Sequence, residues 1–266
     1  MWYQSRSELD LISKAGLYYY INNRGNPVVR MHSSFWLECE SDDTAFTEPV
    51  KRTGNWEAWN AVAISNEWKK PNSEFLDVGA NVGYYSIFAA SSGIPVAAWE
   101  PNPVLIDFIE RSKDLNNIKT MGIHNLAIGD EPGTLKLYNH VGHSGANSLY
   151  GDGDDYIETE VTTIDWYKWS WKSSRHNNYV IKVDVEGFER EVWNGSKLFR
   201  EICKQNVWFV EWVPVRHGEE YNREWLDEVL KTHDLQMVNH DGSLRNVNID
   251  DALAVEFETI VFRSRS

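Results

Sequence analysis

The stretch Glu74–Ala90, EFLDVGANVGYYSIFAA, decides the fold of this chain. Its apolar beginning, Phe75–Val78, is typical of a buried strand, and the apolar residues after Gly83 recur at helical spacing. The turn between them holds two glycines, which let the backbone close tightly and approach a ligand. The helix that follows presents free N–H groups to a polar or anionic ligand group. We therefore predict a strand, a glycine turn and a helix, the opening unit of a nucleotide-binding α/β sheet.

The spacing within the turn separates two classes of nucleotide ligand. A dinucleotide turn has glycine at its first, third and sixth positions, which here hold Gly79, Asn81 and Tyr84, so only the first position fits. The pattern D-x-G-x-N-x-G, beginning at Asp77, instead resembles the first motif of class I S-adenosylmethionine methyltransferases. That resemblance implies that Asp77 and the turn Gly79–Gly83 lie beside the methionine part of this cofactor. A glycine turn that binds no cofactor is the alternative.

An acid at the end of the next predicted strand favours a nucleoside ligand. Pro95–Trp99 reads as that strand, and the following Glu100 is placed to accept hydrogen bonds from both ribose hydroxyls. Pro101 and Asn102 come next, and Asn125–Gly129 leaves the third strand where an adenine would lie. An exposed acid and an ordinary strand exit are the alternatives at these two places. The predicted cofactor contacts are Asp77, Gly79, Asn81, Gly83, Glu100, Pro101, Asn102, Asn125 and Ala127.

A third segment, Tyr179–Phe188, combines the apolar residues of a buried strand with alternating charges at Lys182, Asp184 and Glu186. Because side chains alternate between the two faces of a strand, we predict that these three charges share one face. Burying charges without partners is costly, so they must meet one another, water, a metal or a ligand. A purely structural Lys–Asp–Glu network is the alternative to a functional cluster.

The remaining patterns predict two regions, an N-terminal extension over residues 1–70 and an α/β domain over residues 71–266. The extension is expected to hold a β-hairpin over 17–31, a strand near 35–39 and a helix over 55–68. It is interpreted as accessory β-structure that completes the core, in preference to a cap over the site or a surface for a homodimer.

Further elements are predicted within the α/β domain. They are an antiparallel pair inserted over residues 133–163, a strand Val207–Trp212 that carries Glu211 near its exit, a helix Trp225–His233, and a closing antiparallel pair formed by Leu235–Val238 and Ala254–Phe262.

Composition restricts the function classes. The chain has 266 residues, 42% of them hydrophobic, which is a globular composition. Its net charge of -14 opposes a nucleic acid or an anionic membrane surface as the main partner. Two cysteines without metal-binding spacing, and no apolar run of secretory or membrane-spanning length, lead us to expect a cytoplasmic protein.

Three segments, LDVGANVGYYS, WEPNP and IKVDVEGFEREVWNG, follow one another in the order seen in a known family. They are similar to the FkbM family of S-adenosylmethionine-dependent methyltransferases, and the third segment is the most specific. The resemblance runs from about Phe75 to Trp212. It implies the class I methyltransferase fold, a mostly parallel Rossmann-like sheet of seven strands with one antiparallel strand. It also implies methyl transfer to oxygen on a sugar, a glycan or another small hydroxylated metabolite.

Such a reaction needs help at the acceptor, because a sugar hydroxyl is a poor nucleophile at neutral pH. The candidate catalytic residues are Asp184, Glu186, Lys182 and His143, with the first two preferred as the base. Alternatively, Asp184, Glu186 and Glu211 hold Mg²⁺, since three carboxylates at strand ends suit that ion. The sequence leaves these two mechanisms open.

Three other function classes are alternatives. A nicotinamide oxidoreductase lacks support because the sixth-position glycine of its turn is missing. A nucleic-acid methyltransferase would share the cofactor but is opposed by the negative charge. A non-catalytic glycan-binding or assembly module on the same fold is the third.

Overall fold

The computed structural model describes residues 18–31, 35–138, 155–170 and 178–265. The strands are β1 (Tyr19–Ile21), β2 (Pro27–Arg30), β3 (Trp36–Glu38), β4 (Ser73–Val78), β5 (Val96–Trp99), β6 (Met121–His124), β7 (Ala127–Ile128), β8 (Gly133–Tyr138), β9 (Tyr156–Thr162), β10 (Asn178–Val183), β11 (Gln205–Trp212), β12 (His233–Val238), β13 (Leu244–Asn246) and β14 (Glu258–Ser264). The helices are α1 (Thr47–Thr53), α2 (Ala58–Trp68), α3 (Tyr84–Ser91), α4 (Pro103–Leu115), α5 (Ile164–Ser170), α6 (Glu189–Asn194), α7 (Lys197–Ile202), α8 (Glu219–Val229) and α9 (Ile249–Leu253).

The central sheet has eight strands in the order β13-β12-β14-β11-β10-β4-β5-β6. Strands β6, β5, β4, β10 and β11 are parallel, and β14 runs antiparallel to both of its neighbours, β11 and β12. Without β13, this is the seven-stranded sheet with one antiparallel strand that the family resemblance implies. The predicted α/β class is confirmed, and the strand number is corrected to eight because β13 pairs with β12 at the edge.

Helices cover both faces of this sheet, which is why its central strands are apolar almost throughout. Along β4 the side chains alternate between two cores: Phe75 packs with the layer of α2, α3 and α4, whereas Leu76 packs with the layer of α6, α7 and α8. Asp77, an acid near the carboxyl end of this strand, lies in register with Lys182 on β10. The parallel arrangement therefore brings two predicted site residues together.

The N-terminal extension completes one of these cores. Strands β1, β2 and β3 form an antiparallel sheet, which confirms the predicted hairpin and third strand. Asn116, the C-cap residue of α4, fastens this sheet, since its Oδ1 accepts from the amide of Trp36 at 2.8 Å and its Nδ2 donates to the carbonyl of Trp36 at 2.6 Å. Phe35 and Leu37 lie fully buried in the same core as Phe75.

Two predicted helix boundaries in the chain are corrected. Helix α2 begins at Ala58, not near Asn55, and it is preceded by the unpredicted α1. The helix predicted over Trp225–His233 is α8, which starts at Glu219 and stops at Val229. Two acids in its first turn suit the positive end of the helix dipole, a start signal that the apolar periodicity does not contain. His233 already belongs to β12.

The inserted antiparallel pair is present as β8 and β9, which form a small sheet together with β7. The closing pair is also confirmed, as β12 and β14. His143, predicted as a catalytic candidate, falls in 139–154, outside the described residues. Within the described ranges, no helix combines the length and the apolar character needed to cross a membrane.

Candidate functional site

A cavity of about 460 Å³ opens where the parallel strands of the central sheet end. This is the edge at which open α/β sheets bind ligands. Its walls come from the glycine turn after β4, the loop after β5, strand β7, the segment after β10, the end of β11 and residues 43–57 of the extension. The lining residues of the cavity change in character from its β7 end to its β11 end.

The glycine turn touches the end of β10 directly. Gly79 has a φ of +80°, and a Cβ there would stand 1.8 Å from the carbonyl oxygen of Asp184. Gly79 and Asn81 line the cavity, so the backbone of this turn faces the ligand space. Gly83 is not among the lining residues: a Cβ there would meet Ile109 of α4 at 3.0 Å, so its glycine serves helix packing.

Asp77 lies beneath the turn and not on the cavity wall. It is 1% exposed, and its Oδ2 accepts a hydrogen bond from Ser86 at 2.5 Å. Burial raises the pKa of Asp77, against the opposing effect of Lys182. Its predicted contact with a cofactor is therefore indirect, through the turn that it supports.

Glu100 lies on the cavity wall at the end of β5, as predicted. Its Oε2 accepts from the amide of Asn81 at 2.8 Å, and its Oε1 accepts from the amide of Asn102 at 2.9 Å. Burial raises the pKa of Glu100 to about 7, although these two hydrogen bonds lower it. Each carboxylate oxygen keeps a second lone pair for a ligand hydroxyl.

Asn102 and Asn125, two of the predicted cofactor contacts, do not line the cavity; both hold the loop at Glu100. The Oδ1 of Asn102 caps α4 by accepting from the amide of Val104 at 3.0 Å. The Nδ2 of Asn125 donates to the carbonyls of Glu100 and Pro101, at 3.0 and 2.8 Å. Pro101 and Ala127 themselves line the cavity, where Leu126, Ile128 and Leu137 make its β7 end apolar.

The charged residues of the third segment meet at the other end of the cavity. Lys182 pairs with Asp184 at 2.9 Å, and its Nζ lies 5.0 Å from the ring centroid of Tyr85. Burial lowers the pKa of Lys182, but Asp184 and Asp77 outweigh it, so the net shift is upward and the amine stays charged.

The prediction that Glu186 shares a strand face with Lys182 and Asp184 is wrong. Strand β10 ends at Val183, and Glu186 has a φ of 55°, in the left-handed region. The buried carboxylate of Glu189 holds this turn, because its Oε1 accepts from the amide of Gly187 at 3.0 Å. Glu186 still reaches the cavity, but it does so through a turn and not through strand alternation.

Arg216, which the sequence did not single out, joins the acids at this end. It follows β11 in the short 3₁₀ turn Pro214–Arg216. It pairs with Glu186 and, at 2.7 Å, with Glu211. Burial, then Asp184 and Glu186, raise the pKa of Glu211 to about 9. One feature of the sequence could have indicated the role of Arg216: it follows closely after β11, which carries the acid Glu211 near its end.

The N-terminal extension also reaches the site, which its interpretation as core structure did not anticipate. Glu57 precedes α2 with a φ of 40°, and its Oε2 accepts a hydrogen bond from the hydroxyl of Tyr85 at 2.9 Å. Phe46, Trp56 and Tyr84 add a wall of adjoining aromatic rings. The cavity thus offers an apolar end, a carboxylate suited to a diol, a glycine turn and a charged, aromatic end.

Comparison with known proteins assigns a family. The model described as Methyltransferase FkbM domain matches residues 77–236, well over half of the chain, including the glycine turn, Glu100 and the Asp184–Glu186 segment. A relative named Methyltransferase 1, from Beauveria bassiana (strain ARSEF 2860), is 22% identical over 148 residues. Those residues are 47% of this chain and 59% of the relative, so the match spans less than two thirds of its length.

Solved structures show only remote likeness. A TehB-like SAM-dependent methyltransferase from Corynebacterium glutamicum is 13% identical, with a TM-score of 0.45, over 82% of this chain and 94% of its own. The Pyrococcus abyssi tRNA (uracil-54, C5)-methyltransferase, in complex with S-adenosyl-L-homocysteine, is 13% identical, with a TM-score of 0.46, over 90% and 44%. The assignment rests on the family model, which covers most of the residues that line the cavity: the chain belongs to the FkbM methyltransferase family.

Proposed function

We propose that this protein transfers the methyl group of S-adenosylmethionine to a hydroxyl oxygen of a sugar, a glycan or another small hydroxylated metabolite. The observation that carries the proposal is the change of the cavity wall from its apolar β7 end to its charged β11 end. A nucleoside with a polar tail matches the half of the cavity that runs from the β7 end past Glu100 to the glycine turn. The charged half at the β11 end remains for the acceptor.

On this proposal, successive parts of the cavity wall bind the adenine, the ribose and the methionine part of the donor. Leu126, Ala127 and Ile128 cover the adenine, and Glu100 accepts hydrogen bonds from the ribose hydroxyls. The backbone of the turn at Gly79 follows the methionine part. Support comes from the free lone pairs of Glu100 and from the contact between the turn and Asp184, which brings a carboxylate to the end of the donor site.

The residues at the β11 end would orient the acceptor and take its proton. When bound, the donor supplies an electrophilic methyl carbon whose bond to sulfur breaks as the bond to the acceptor oxygen forms. Asp184 is the proposed base because its backbone adjoins the glycine turn and its carboxylate is one-third exposed. Glu186 is the second candidate, with a pKa raised to about 7 by burial and by Asp184. A cation binds each carboxylate, Lys182 on Asp184 and Arg216 on Glu186, but the side chain of Glu186 is the less exposed.

Donor binding should depend on pH through Glu100. Burial raises its pKa to about 7, and only the ionised form accepts two ribose hydrogen bonds. Binding therefore favours the carboxylate and releases a proton below that pKa, so affinity should be constant above about pH 7.5 and fall by up to about tenfold per unit below pH 7. Calorimetric titration of S-adenosylhomocysteine from pH 5.5 to 8.5 checks this. Glu100→Gln should bind weakly at every pH, and an unchanged slope in that variant would assign the effect to another group.

Assistance by Mg²⁺ is the alternative to a simple base. One carboxylate oxygen from each of Asp184, Glu186 and Glu211 lies within 4.8 Å of the others, which suits a divalent cation. We propose that Arg216 takes this role instead, because its guanidinium already binds two of the three acids.

We therefore expect methyl transfer to be unaffected by EDTA and unstimulated by Mg²⁺. Arg216→Gln should create a divalent-cation site, because it leaves two of the three acids without their guanidinium. Calorimetry with Mn²⁺ on both proteins tests this. Loss of activity in EDTA and its return with Mg²⁺ would establish the metal-assisted mechanism.

The acceptor class is tested by transfer of a labelled methyl group from S-adenosylmethionine to panels of sugars, amino sugars and hydroxylated metabolites, with tRNA as the contrasting acceptor. Label in a small hydroxylated molecule, stable to alkali as an ether, supports the proposal. Label in tRNA alone would refute it. The six carboxylates on the cavity wall, against two cations, oppose a polyanionic acceptor.

A further inference from the structure

A small recess opens from the main cavity between α2 and the ends of β10 and β11. Its volume is about 20 Å³, which is room for one group the size of a water molecule. Glu57, Asp184 and Glu211 line both the recess and the main cavity, and Asn60 of α2 lies on the recess wall alone. The recess and the main cavity therefore adjoin at these side chains.

Asn60 lines the recess and holds a buried hydrogen-bond acceptor that has no donor among the described residues. The residue is 5% exposed, and its Oδ1 accepts no hydrogen bond from any residue that the structure describes. Its Nδ2 donates to Glu57 at 3.2 Å, which fixes the orientation of the amide. A buried acceptor without a donor is costly, so this position favours a ligand that donates.

The charge of the recess also favours a ligand group that donates hydrogen bonds. Glu57 and Asp184 contribute two carboxylates against one cation, Lys182, and the third acid of the recess, Glu211, has a pKa that burial, Asp184 and Glu186 raise to about 9. Lys182 is engaged by Asp184, and Arg216 binds Glu211 from the side of the main cavity. Across the described ranges, no lysine or arginine forms an ion pair with Glu57, whose hydrogen-bond donors are the Tyr85 hydroxyl and Asn60. Acceptors and negative charge thus exceed donors and positive charge.

We propose that this recess binds a protonated amino group carried by the methyl acceptor. A primary ammonium is the size of water, carries one positive charge, and has three N–H donors and no acceptor, which is the complement of Asn60 Oδ1 and the carboxylates. The inference rests on the proposed function, because it takes the second half of the cavity to be the acceptor site. It narrows the acceptor to a hydroxylated amine, such as an amino sugar or an amino alcohol.

The position of the recess assigns it to the acceptor and not to the donor. The donor's own ammonium would follow the glycine turn at the end of β4. The recess wall includes Phe209 of β11 and Thr259 of β14, which lie two and three strands beyond β4 in the sheet. The donor's ammonium is nevertheless the competing source of the same chemistry, so the experiment must separate the two.

Methylammonium is the probe, since it carries the proposed group without any acceptor scaffold. It is titrated into the full chain saturated with S-adenosylhomocysteine, and separately with 5′-methylthioadenosine, which lacks the amino acid part. Saturable millimolar binding is expected in both cases, read from the ¹H–¹⁵N signals of the Asn60 side-chain amide. Glu57→Gln and Asn60→Leu should each weaken it by about tenfold or more, since the first removes a negative charge and the second removes an acceptor for the charged donor.

Matched controls come from the same segment of chain. Glu48→Gln and Asn66→Leu change an exposed glutamate and an exposed asparagine, which pair with Lys51 and Lys69. Both should leave the affinity for methylammonium unchanged. Tryptophan fluorescence measures this affinity in all variants. The larger tetramethylammonium ion should not compete. Absence of saturable binding, or equal binding in the Glu57 and Asn60 variants, would overturn the proposal.

Binding with methylthioadenosine but not with S-adenosylhomocysteine would assign the recess to the donor's ammonium and overturn the acceptor assignment. Failure of both sulfur nucleosides to bind would instead refute the proposed function, and methylammonium binding to the protein alone would then report on the recess by itself.

Discussion

Replacing Gly79 by alanine is expected to abolish donor binding and to cost about 2–5 kcal/mol of unfolding free energy, from overpacking together with left-handed strain. The new Cβ would stand 1.8 Å from the carbonyl oxygen of Asp184 and 2.8 Å from its carbonyl carbon. Neither atom can move freely, because the amide of Asp184 is hydrogen-bonded to the carbonyl of Val78 at 3.0 Å. The turn and the end of β10 must therefore separate, and the floor of the cavity opens.

Gly93→Ala is the matched control for this substitution. Gly93 has a φ of +82°, close to that of Gly79, but a Cβ there meets nothing within 4 Å. It should cost only the left-handed strain, about 1–2 kcal/mol, and leave donor affinity unchanged. Urea unfolding and calorimetric titration of both variants make the comparison. Equal losses in the two variants would mean that the contact between the turn and Asp184 has no special part in the site.

Asp184→Asn is expected to reduce the rate of methyl transfer by about 10²–10⁴-fold, the usual contribution of a positioned base. Donor binding should stay within about tenfold, because the change keeps the side-chain shape and the backbone contact with Gly79. Lys182 retains Asp77 as a neighbouring acid, so the fold should persist. Single-turnover transfer, started from preformed donor complex, separates the two effects.

Glu186→Gln serves as the comparison for the base. Its amide oxygen can still accept from Arg216, so the local structure is kept while the charge is lost. We expect a smaller fall in rate than for Asp184→Asn. A larger fall would move the role of base to Glu186. If Asp184→Asn instead weakened donor binding and left the single-turnover rate of the bound donor unchanged, Asp184 would belong to the donor site.

The sequence could predict the parts of the site that depend on local pattern. Gly79 and Glu100 lie at turns that directly follow buried strands, and strand, turn and helix are each visible within a dozen residues. The sequence also identified Asp77 and Asn125, but as cofactor contacts. Their hydrogen bonds, with Ser86 and with the loop at Glu100, show that they support the site from behind its wall. A pattern shows which residue is present, and the fold decides which way its side chain points.

The parts that depend on distant contacts could not be predicted. Arg216 reaches Glu186 only because β10 and β11 run parallel in register, which places their exits side by side. Glu57 reaches the cavity because the extension shares a core with the central sheet, and no periodicity in residues 55–68 reveals that. Glu186 was placed on a strand face because alternation continues in the sequence past the point where the backbone turns at φ 55°.

The central claim, that this cavity holds a sulfur nucleoside as methyl donor, is tested most directly by calorimetric titration of S-adenosylmethionine and S-adenosylhomocysteine at pH 8, with NAD as the control. We predict micromolar binding of both sulfur ligands and none of NAD, and a loss of about tenfold or more in Glu100→Gln. Binding of NAD in preference to the sulfur ligands, or of neither class, would contradict the account.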